Sequence, residues 1–309
     1  TYYEVHGLFE VKAGRYNGRW IDESFKKDEN DEHRKAERIW DKAQAEAIVA
    51  RCIGKPGVID QTTKPTRQAP PLLYDLTSLQ REASNRFSFS ARRTLQIAQA
   101  LYEKYKVLTY PRTDSRHLPE DYLGTVIGTM KTFAGHSESK HDALPHDLIP
   151  HAATALSNNW VRPNRRIFDN TKVSDHFAII PTGQIPPKEL PEAEQKIFDM
   201  VTRRFIAVFF PPAEFEVTTR ITRVGEDAFK SDGKVLIVPG WLAVYGGKGI
   251  EEAAEQGEGG GRILTAATEG ERASTLDAEV SEQQTKPPPR YSEATLLSAM
   301  EGAGKLVDD

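Results

Sequence analysis

Alternating apolar and polar positions predict β-strands at both ends of the chain. Residues 1–20 carry aromatic and branched side chains broken by glycines, a composition typical of strands. Residues 215–223 alternate most regularly and predict a half-buried antiparallel strand. Its two faces are Phe215, Val217, Thr219 and Ile221 on one side, and Glu216, Thr218, Arg220 and Thr222 on the other. Three shorter runs predict further strands, at residues 58–63, 234–238 and 241–245.

A helical period of apolar residues fills the middle of the chain. The predicted helices there cover residues 77–85, 90–105, 121–133, 148–156 and 191–210. Ser90 is the expected N-cap of the second of these helices. Two more helices flank the block, one with a face of Ile39, Ala43, Ala47 and Ala50, the other over residues 291–304. Residues 246–262, rich in Gly and Glu, predict a mobile loop.

The order of these elements is β, then α, then β again, then one more helix, and it predicts an α+β fold. The simplest topology is a helical module inserted into a β-rich domain. The expected parts are the first half of the β-rich domain, the helical module, the second half, and the start of a further, truncated helical domain. They cover residues 1–68, 69–213, 214–286 and 287–309, respectively. Because the chain opens without Met and stops directly after a helical pattern, we expect an excised segment of a longer protein.

Composition restricts the class of protein. The 309 residues are 38% hydrophobic and 28% charged, with no apolar run long enough to span a bilayer and no signal peptide. The single cysteine, Cys52, rules out an internal disulfide and a Cys-based zinc site, and the eight histidines show no ligand spacing. A cytoplasmic location is therefore expected. The net charge is −4, yet residues 81–116 carry eight Lys or Arg against three acids, a basic stripe that favours phosphate contact.

Candidate chemistry centres on residues 108–116, Leu-Thr-Tyr-Pro-Arg-Thr-Asp-Ser-Arg. Tyr110 ends a short apolar run, and Pro111 favours an extended conformation for it. A phenol can act as a covalent nucleophile, and Arg112 carries the charged fork that fits phosphate oxygens. A bare Tyr-x-Arg is more often a strand-end tyrosine beside a solvated arginine, so this segment by itself leaves both interpretations open.

Two other features admit a functional and a structural interpretation. Arg92 and Arg93 lie in the first turn of the predicted helix 90–105, where the helix dipole disfavours cations unless an anion docks at the free N–H groups. Otherwise they are solvated. His176 precedes a small apolar run closed by Pro181, where it could donate to a phosphate or a leaving oxygen, or cap a turn.

Taken together and in this order, five segments resemble the type IA DNA topoisomerases, and within them the topoisomerase III branch. They are residues 76–83, 89–99, 108–115, 176–182 and 288–303. The resemblance covers almost the whole chain, and Thr-Tyr-x-Arg-Thr-Asp-Ser following such a helix is a specific motif. It implies a toroid in which the helical module is a gate and the β-rich domain is its hinge.

The resemblance also implies roles for individual residues. Tyr110 would attack a phosphodiester of single-stranded DNA, giving a 5′-phosphotyrosine and a 3′-hydroxyl. Arg112 would stabilise the charge that forms on the phosphate, and His176 would lie near the scissile group. The set assigned to DNA binding is Thr77, Ser78, Gln80, Arg81, Arg92, Arg93, Thr113, Asp114 and Ser115. Asp114 and Ser115 would also hold the tyrosine loop in shape. Relaxation or decatenation would need no ATP, and the family works as a monomer.

The chain departs from the family pattern in one respect. Type IA enzymes carry an N-terminal toprim domain whose acidic cluster binds Mg²⁺, and no such strand motif occurs here. The acids at residues 28–32 lie in a charged stretch without an apolar strand. We therefore expect Mg²⁺ in the intact enzyme, no metal bound by this segment, and weak DNA binding with little or no cleavage by the segment alone.

Two other functional classes are alternatives to a topoisomerase. One is a non-catalytic single-stranded DNA-binding module, in which Tyr110 stacks on a base and the arginines bind phosphates. The other is a tyrosine integrase or a nicking enzyme. That class needs several further Arg and His residues or a metal-binding His cluster, and the sequence shows neither arrangement.

Overall fold

The computed structural model describes residues 1–26, 33–137, 142–256, 262–285 and 290–303. The chain divides into two units. The first comprises Thr1–Gln68, Ala213–Pro239 and Glu251–Pro289, and the second comprises Ala69–Pro212, Gly240–Ile250 and Arg290–Asp309. Helices together with antiparallel strands confirm the α+β class. None of the helices in the described ranges is both long and apolar enough to cross a membrane.

The first unit is built on a closed antiparallel barrel. Within the described residues its strands are β1 (Tyr2–Val11), β2 (Gly14–Ile21), β3 (Pro56–Gln68), β4 (Ala213–Val224), β5 (Asp227–Val238) and β6 (Arg272–Gln283). Their order around the barrel is β1-β2-β5-β4-β3-β6, and β6 pairs back with β1. Sequence patterns did not predict β6, although it is the strand that closes the barrel.

Two facing glycines make room for the aromatic core of the barrel. Gly7 on β1 pairs with Gly18 on β2. A Cβ on Gly7 would lie 2.7 Å from the ring of Phe9, and one on Gly18 would lie 3.1 Å from Phe229. Phe9 and Phe229 are fully buried and meet edge to face, with ring centroids 5.2 Å apart. Glycine is needed here for close approach, which explains the glycines that interrupt the first strands.

Strand β4 buries the face that its sequence makes polar. Thr218, Arg220 and Thr222 are at most 1% exposed, whereas Val217 is 41% exposed. Arg220 donates from Nε to Gln61 Oε1 at 2.9 Å and from Nη2 to the carbonyl of Thr265 at 2.8 Å. The prediction of a strand was right, but the barrel interior at this level is a hydrogen-bonded polar layer.

Helix α1 (Lys42–Cys52) packs on the barrel core through a different face from the one predicted. Its buried residues are Ala45, Ile48 and Cys52, whereas Ala43, Ala47 and Ala50 are exposed. The helix begins after the N-cap Asp41. Ile39 therefore precedes the helix and pairs as an extended residue with Tyr3, so it could not set the register of the helical face.

Asp227 is a buried carboxylate held by three donors. Arg51 donates at 2.6 and 2.8 Å, Trp20 Nε1 at 2.9 Å, and the Cys52 thiol at 3.3 Å. Burial alone would raise the pKa of Asp227, but the hydrogen bonds from Arg51, Trp20 and Cys52 hold it below its ordinary value. Burial likewise raises the pKa of the Cys52 thiol, to about 12, so Cys52 is a packing residue and not a reactive thiol.

This arrangement predicts a pH-dependent stability. Because the pKa of Asp227 is lower in the folded chain than in the unfolded chain, its contribution is present at neutral pH and is lost as the pH falls through the folded pKa. Asp227→Asn should lower the free energy of unfolding at pH 7 by about 1–3 kcal/mol. The difference in free energy of unfolding between wild type and the variant should become smaller below about pH 4. Urea unfolding at a series of pH values measures the loss at pH 7 and its pH dependence. A difference in unfolding free energy that does not change with pH would contradict a stabilising role for the ionised Asp227 carboxylate.

The second unit is mainly helical. Its helices, in the described part, include α2 (Leu76–Phe87), α3 (Ala91–Glu103), α4 (Leu123–Ala134), α5 (Ile149–Ser157) and α6 (Glu192–Ala207). α7 (Gly247–Gln256) straddles the boundary between the units, and α8 (Glu293–Gly302) belongs to the second unit. The separate helical domain expected for residues 287–309, and the other domain boundaries, remain predictions.

Two predictions after Pro212 were wrong. Residues 241–245 do not form a strand, because Gly240–Val244 turns as a 3₁₀ helix that buries Trp241, Leu242 and Val244. A short apolar run does not distinguish a strand from a buried helical turn. The predicted mobile loop 246–262 begins with α7, and its residues 257–261 lie outside the described residues. The acidic stretch at residues 28–32 also lies entirely outside the described residues.

Candidate active site

A short backbone ladder brings two distant segments of the second unit together. After α3, the chain runs beside residues 178–182. Thr109 N–H donates to the carbonyl of Ile180 at 2.9 Å, and Thr182 N–H donates to the carbonyl of Val107 at 3.0 Å. The Thr109 hydroxyl adds two bonds, donating to Ala178 O at 3.1 Å and accepting from Ile180 N–H at 2.9 Å. The ladder fixes the position of Tyr110, which directly follows it.

The ring of Tyr110 packs against two other aromatic rings. Its ring centroid is 4.2 Å from that of His176, with the planes tilted by 42°. On another side, Tyr102 from α3 meets it edge to face at 5.4 Å and 78°. Tyr110 is half-buried and His176 is exposed. The phenol is therefore positioned by packing while an imidazole beside it remains open to solvent.

Arg112 is exposed and oriented from the same helix that supplies Tyr102. Its Nη2 donates to Gln99 Oε1 at 3.4 Å, and Gln99 in turn donates to Glu103 at 2.8 Å. Within the described part of the chain, no carboxylate forms an ion pair with Arg112. Since a guanidinium has five N–H donors in a rigid fork, Arg112 can still bind an anion.

Three predicted residues after Arg112 hold the loop in place. The Thr113 hydroxyl donates to the carbonyl of His176 at 3.0 Å, which joins the two halves of the site. The Ser115 hydroxyl donates to Lys172 O at 2.7 Å, and Asp114 accepts from Ser174 at 3.1 Å. Thr113 and Ser115 are buried, whereas Asp114 is exposed. Their assignment to DNA binding remains a prediction, and the contacts give each of them a structural task.

The residues predicted on α2 have different surroundings. Ser78 is buried in a capping box with Asp75, the N-cap of the helix, and Thr77 beside it is half-buried. Gln80 donates to the carbonyl of Ala91 at 3.0 Å. Arg81 forms an ion pair with Glu301 of α8 at 2.8 Å. Among these four residues, Arg81 has the chemistry that suits a phosphate.

The start of α3 has the predicted cap and an acid docked on it. The Ser90 hydroxyl accepts from Arg93 N–H at 3.1 Å, which confirms Ser90 as N-cap. Ala91 N–H donates to Glu293 Oε1 of α8 at 2.7 Å. Arg92 is exposed, and the Arg93 guanidinium lies over the Phe89 ring at 4.3 Å. An anion does dock at this helix start, and in this structure it is a carboxylate of the chain itself.

The comparison with known sequences decides the family. A family model described as DNA topoisomerase matches residues 1–304. The chain belongs to the DNA topoisomerase family. DNA topoisomerase 3 of Bacillus cereus is 38% identical over 273 residues, which are 88% of this chain and 36% of that protein. DNA topoisomerase 3 of Shouchella clausii is 34% identical over 284 residues, or 92% of this chain and 36% of that protein. The chain thus spans about a third of the length of these relatives.

The fold comparison agrees with the family. Full-length topoisomerase I from Thermotoga maritima superposes with a TM-score of 0.59 over 98% of this chain and 44% of that chain, at 22% identity. The likeness shows a shared fold. The resemblance to type IA topoisomerases, and to topoisomerase III in particular, is confirmed by these findings together.

The sequence did not indicate two residues that the structure places in the candidate site. Gln99 contacts Arg112, and Tyr102 contacts Tyr110. Both residues lie in the predicted helix 90–105, and the local sequence does not distinguish them from the other residues of that helix. Their separation of three positions on α3 puts them on one face. This face of α3 contacts the tyrosine loop, which only the folded chain places beside the helix.

The described residues around Tyr110 do not fit a magnesium site. Mg²⁺ prefers a cage of oxygen ligands, commonly with one or two carboxylates. Asp114, the acid in the tyrosine loop, is engaged by Ser174. Among the described residues, the group of three side chains able to hold a metal is His136, Asp142 and His146, and it contains no residue of this site.

Proposed function

We propose that this chain is the tyrosine-bearing gate and hinge segment of a type IA DNA topoisomerase, in which Tyr110 cleaves single-stranded DNA. The observation that supports it most directly is the contact between Tyr110 and His176, at 4.2 Å between ring centroids, with Arg112 two residues from the phenol. Membership of the topoisomerase family supports the reaction class.

The proposed step is a transesterification. The Tyr110 Oη forms a bond to phosphorus while the bond from phosphorus to the 3′ oxygen breaks. The phenolic proton leaves, and the 3′ oxygen takes up a proton and departs as a hydroxyl. His176 can donate a hydrogen bond to a phosphate oxygen or to that departing oxygen. Arg112 stabilises the charge that accumulates on the phosphate. The reverse step reseals the strand, so the cycle needs no ATP.

DNA binding is proposed along the α2 and α3 residues near the site. Arg81, Arg92 and Arg93 supply charge for phosphates, and the N-terminus of α3 supplies N–H donors. Glu301 and Glu293 of α8 now contact Arg81 and Ala91 N–H, respectively. A phosphate at either position would replace one of these carboxylates.

The chain alone is proposed to cleave poorly or not at all, because Mg²⁺ ligands are expected in a domain that it lacks. The test is to incubate a labelled single-stranded oligonucleotide and Mg²⁺ with the chain alone, and with the chain joined to a toprim domain of the family. After denaturation, a covalent adduct is expected only with the joined protein. Efficient adduct formation by the chain alone would contradict the proposal.

A second candidate is a DNA-binding module without chemistry. The aromatic cluster of Tyr102, Tyr110 and His176 is the kind of surface on which bases stack, and this favours it. Both candidates predict binding, so the fate of the Tyr110 hydroxyl must decide between them.

Arg112 offers a test of the electrostatic role. In the joined protein, Arg112→Ala should lower the rate of adduct formation by roughly 10²–10³-fold, the usual cost of removing one preorganised donor from the site of developing charge. Arg112→Lys should recover part of the rate, because it restores charge without the fork. The rate is measured from adduct formed at saturating oligonucleotide.

Arg92→Ala is the matched control. Arg92 is an exposed arginine of the same helical unit, and its loss should weaken binding and not the saturated rate. An Arg112 variant that weakens binding but keeps the saturated rate would show that Arg112 serves binding alone, and equal losses of the saturated rate in both variants would contradict a specific role for Arg112.

A further inference from the structure

Three potential metal ligands meet in the connection between α4 and α5. His136 follows directly after α4, Asp142 lies further along, and His146 begins the 3₁₀ turn that leads into α5. His136 Nε2 is 2.9 Å from Asp142 Oδ2, and His146 Nε2 is 3.4 Å from Asp142 Oδ1. All three ligand atoms lie within 4.8 Å of one another. The spacing of the three residues matches no common metal-binding motif, so the sequence alone does not predict this cluster.

The cluster is fixed on its buried side and open on the other. The side chain of Asp142 is 9% exposed, whereas those of His136 and His146 are 21% and 32% exposed. Backbone bonds hold the ligands in place: His136 N–H donates to Phe133 O at 3.2 Å, and Leu144 N–H donates to Asp142 Oδ1 at 3.0 Å. Such an outer contact orients a carboxylate toward an ion.

The residue after Asp142 is hydrogen-bonded to a separate segment of the chain. Ala143 N–H donates to Pro186 O at 3.1 Å, and Asp142 itself forms a bridge with Pro187. Helices α4 and α5 and the segment at Pro186 belong to one unit, so the three ligands are presented from elements of the same unit.

We propose that His136, Asp142 and His146 bind a first-row divalent transition-metal ion of the Zn²⁺ type. Ligands at about 2.0–2.2 Å from a tetrahedral zinc lie roughly 3.4 Å from one another. The contact of His146 with Asp142 has this spacing at 3.4 Å, that of His136 with Asp142 is shorter at 2.9 Å, and all three ligand atoms lie within 4.8 Å of one another. Two imidazoles and one carboxylate leave a fourth position for water, on the solvent side.

The choice of ligands separates this site from the Mg²⁺ of the cleavage reaction. Imidazole suits Zn²⁺, Co²⁺, Ni²⁺ and Cu²⁺, whereas Mg²⁺ and Ca²⁺ take oxygen ligands. Binding would tie the end of α4 to the start of α5, so its effect is on the stability of the helical unit. The inference stands apart from the proposed DNA chemistry.

The test uses the full chain after treatment with a chelator. Calorimetric titration with Zn²⁺ should show one equivalent bound, and Co²⁺ should give the visible absorption of a nitrogen-ligated ion. His136→Ala and His146→Ala should each weaken Zn²⁺ binding by more than the roughly 10–100-fold that loss of an outer partner costs. Zn²⁺ should raise Tm for wild type and for neither variant, whereas Mg²⁺ should leave it unchanged.

His33→Ala is the matched control, since His33 is an exposed histidine of the other unit. It should bind Zn²⁺ as wild type does. Far-UV circular dichroism confirms that each variant is folded before titration. Wild-type affinity no higher than that of the His136 and His146 variants would overturn the proposal, and would leave the cluster as a set of hydrogen bonds that closes the loop.

Discussion

Tyr110→Phe should abolish the covalent protein–DNA adduct while leaving single-stranded DNA binding nearly unchanged. The substitution removes the atom proposed to form the bond to phosphorus and keeps the ring that packs between Tyr102 and His176. A stacking role would survive the change, because stacking depends on the ring face and not on the hydroxyl. The measurement is adduct formation on a labelled oligonucleotide with Mg²⁺, in the chain joined to a toprim domain, with affinity measured in parallel.

Tyr102→Phe is the matched control for this experiment. It removes a hydroxyl from the neighbouring ring of the same cluster and should retain the adduct. Adduct formation by the Tyr110 variant would show that another residue is the nucleophile. If wild type binds the oligonucleotide but forms no adduct, the non-catalytic module becomes the better description.

Arg204→Ala should cause the largest loss of stability in the helical unit. Arg204 is buried and pairs with Glu82, donates to Tyr74 Oη at 3.0 Å and donates to Leu72 O at 2.9 Å. Burial alone would lower the pKa of the guanidinium, yet Tyr74 and Glu82 hold that pKa above its ordinary value. Removing one partner leaves an uncompensated buried charge, so we expect the free energy of unfolding to fall by about 3–5 kcal/mol. Urea unfolding measures the loss.

Two further variants test the physical reason. Glu82→Ala combined with Arg204→Ala should be less unstable than Arg204→Ala alone, since no unpaired charge is then buried. Lys196→Ala removes an exposed ion pair with Glu192 on the same helix and should lie within the error of the measurement. A Lys196 effect as large as the Arg204 effect would show that helix α6 is sensitive to any charge change.

Much of the candidate site could be predicted from the sequence because its chemistry is local. Tyr110 and Arg112 are two residues apart within a specific family motif, and the cap Ser90 is one position from its helix, so short segments and their resemblance to the family were enough to propose them. His176 was proposed from its family segment, and only the ladder between residues 107–109 and 178–182 explains why it meets Tyr110. Gln99 and Tyr102 could not be predicted as site residues, because their contacts with Arg112 and Tyr110 form only when the tyrosine loop folds back beside α3.

The sequence by itself determined the family, the α+β class, most of the helices and the residues with candidate chemistry. These follow from local periodicity, capping and motif order, which do not depend on distant partners. The tertiary structure decided which face of β4 is buried, because Gln61 and the Thr265 carbonyl satisfy Arg220 inside the barrel. It also decided that β6 closes the barrel, and that His136, Asp142 and His146 share one site. For β4 and β6 the deciding contacts join residues far apart in the chain, and long-range pairing of that kind leaves no periodic signal in the sequence. His136, Asp142 and His146 are close in sequence, but their spacing matches no common metal-binding motif, so only their placement in the folded chain brings them together.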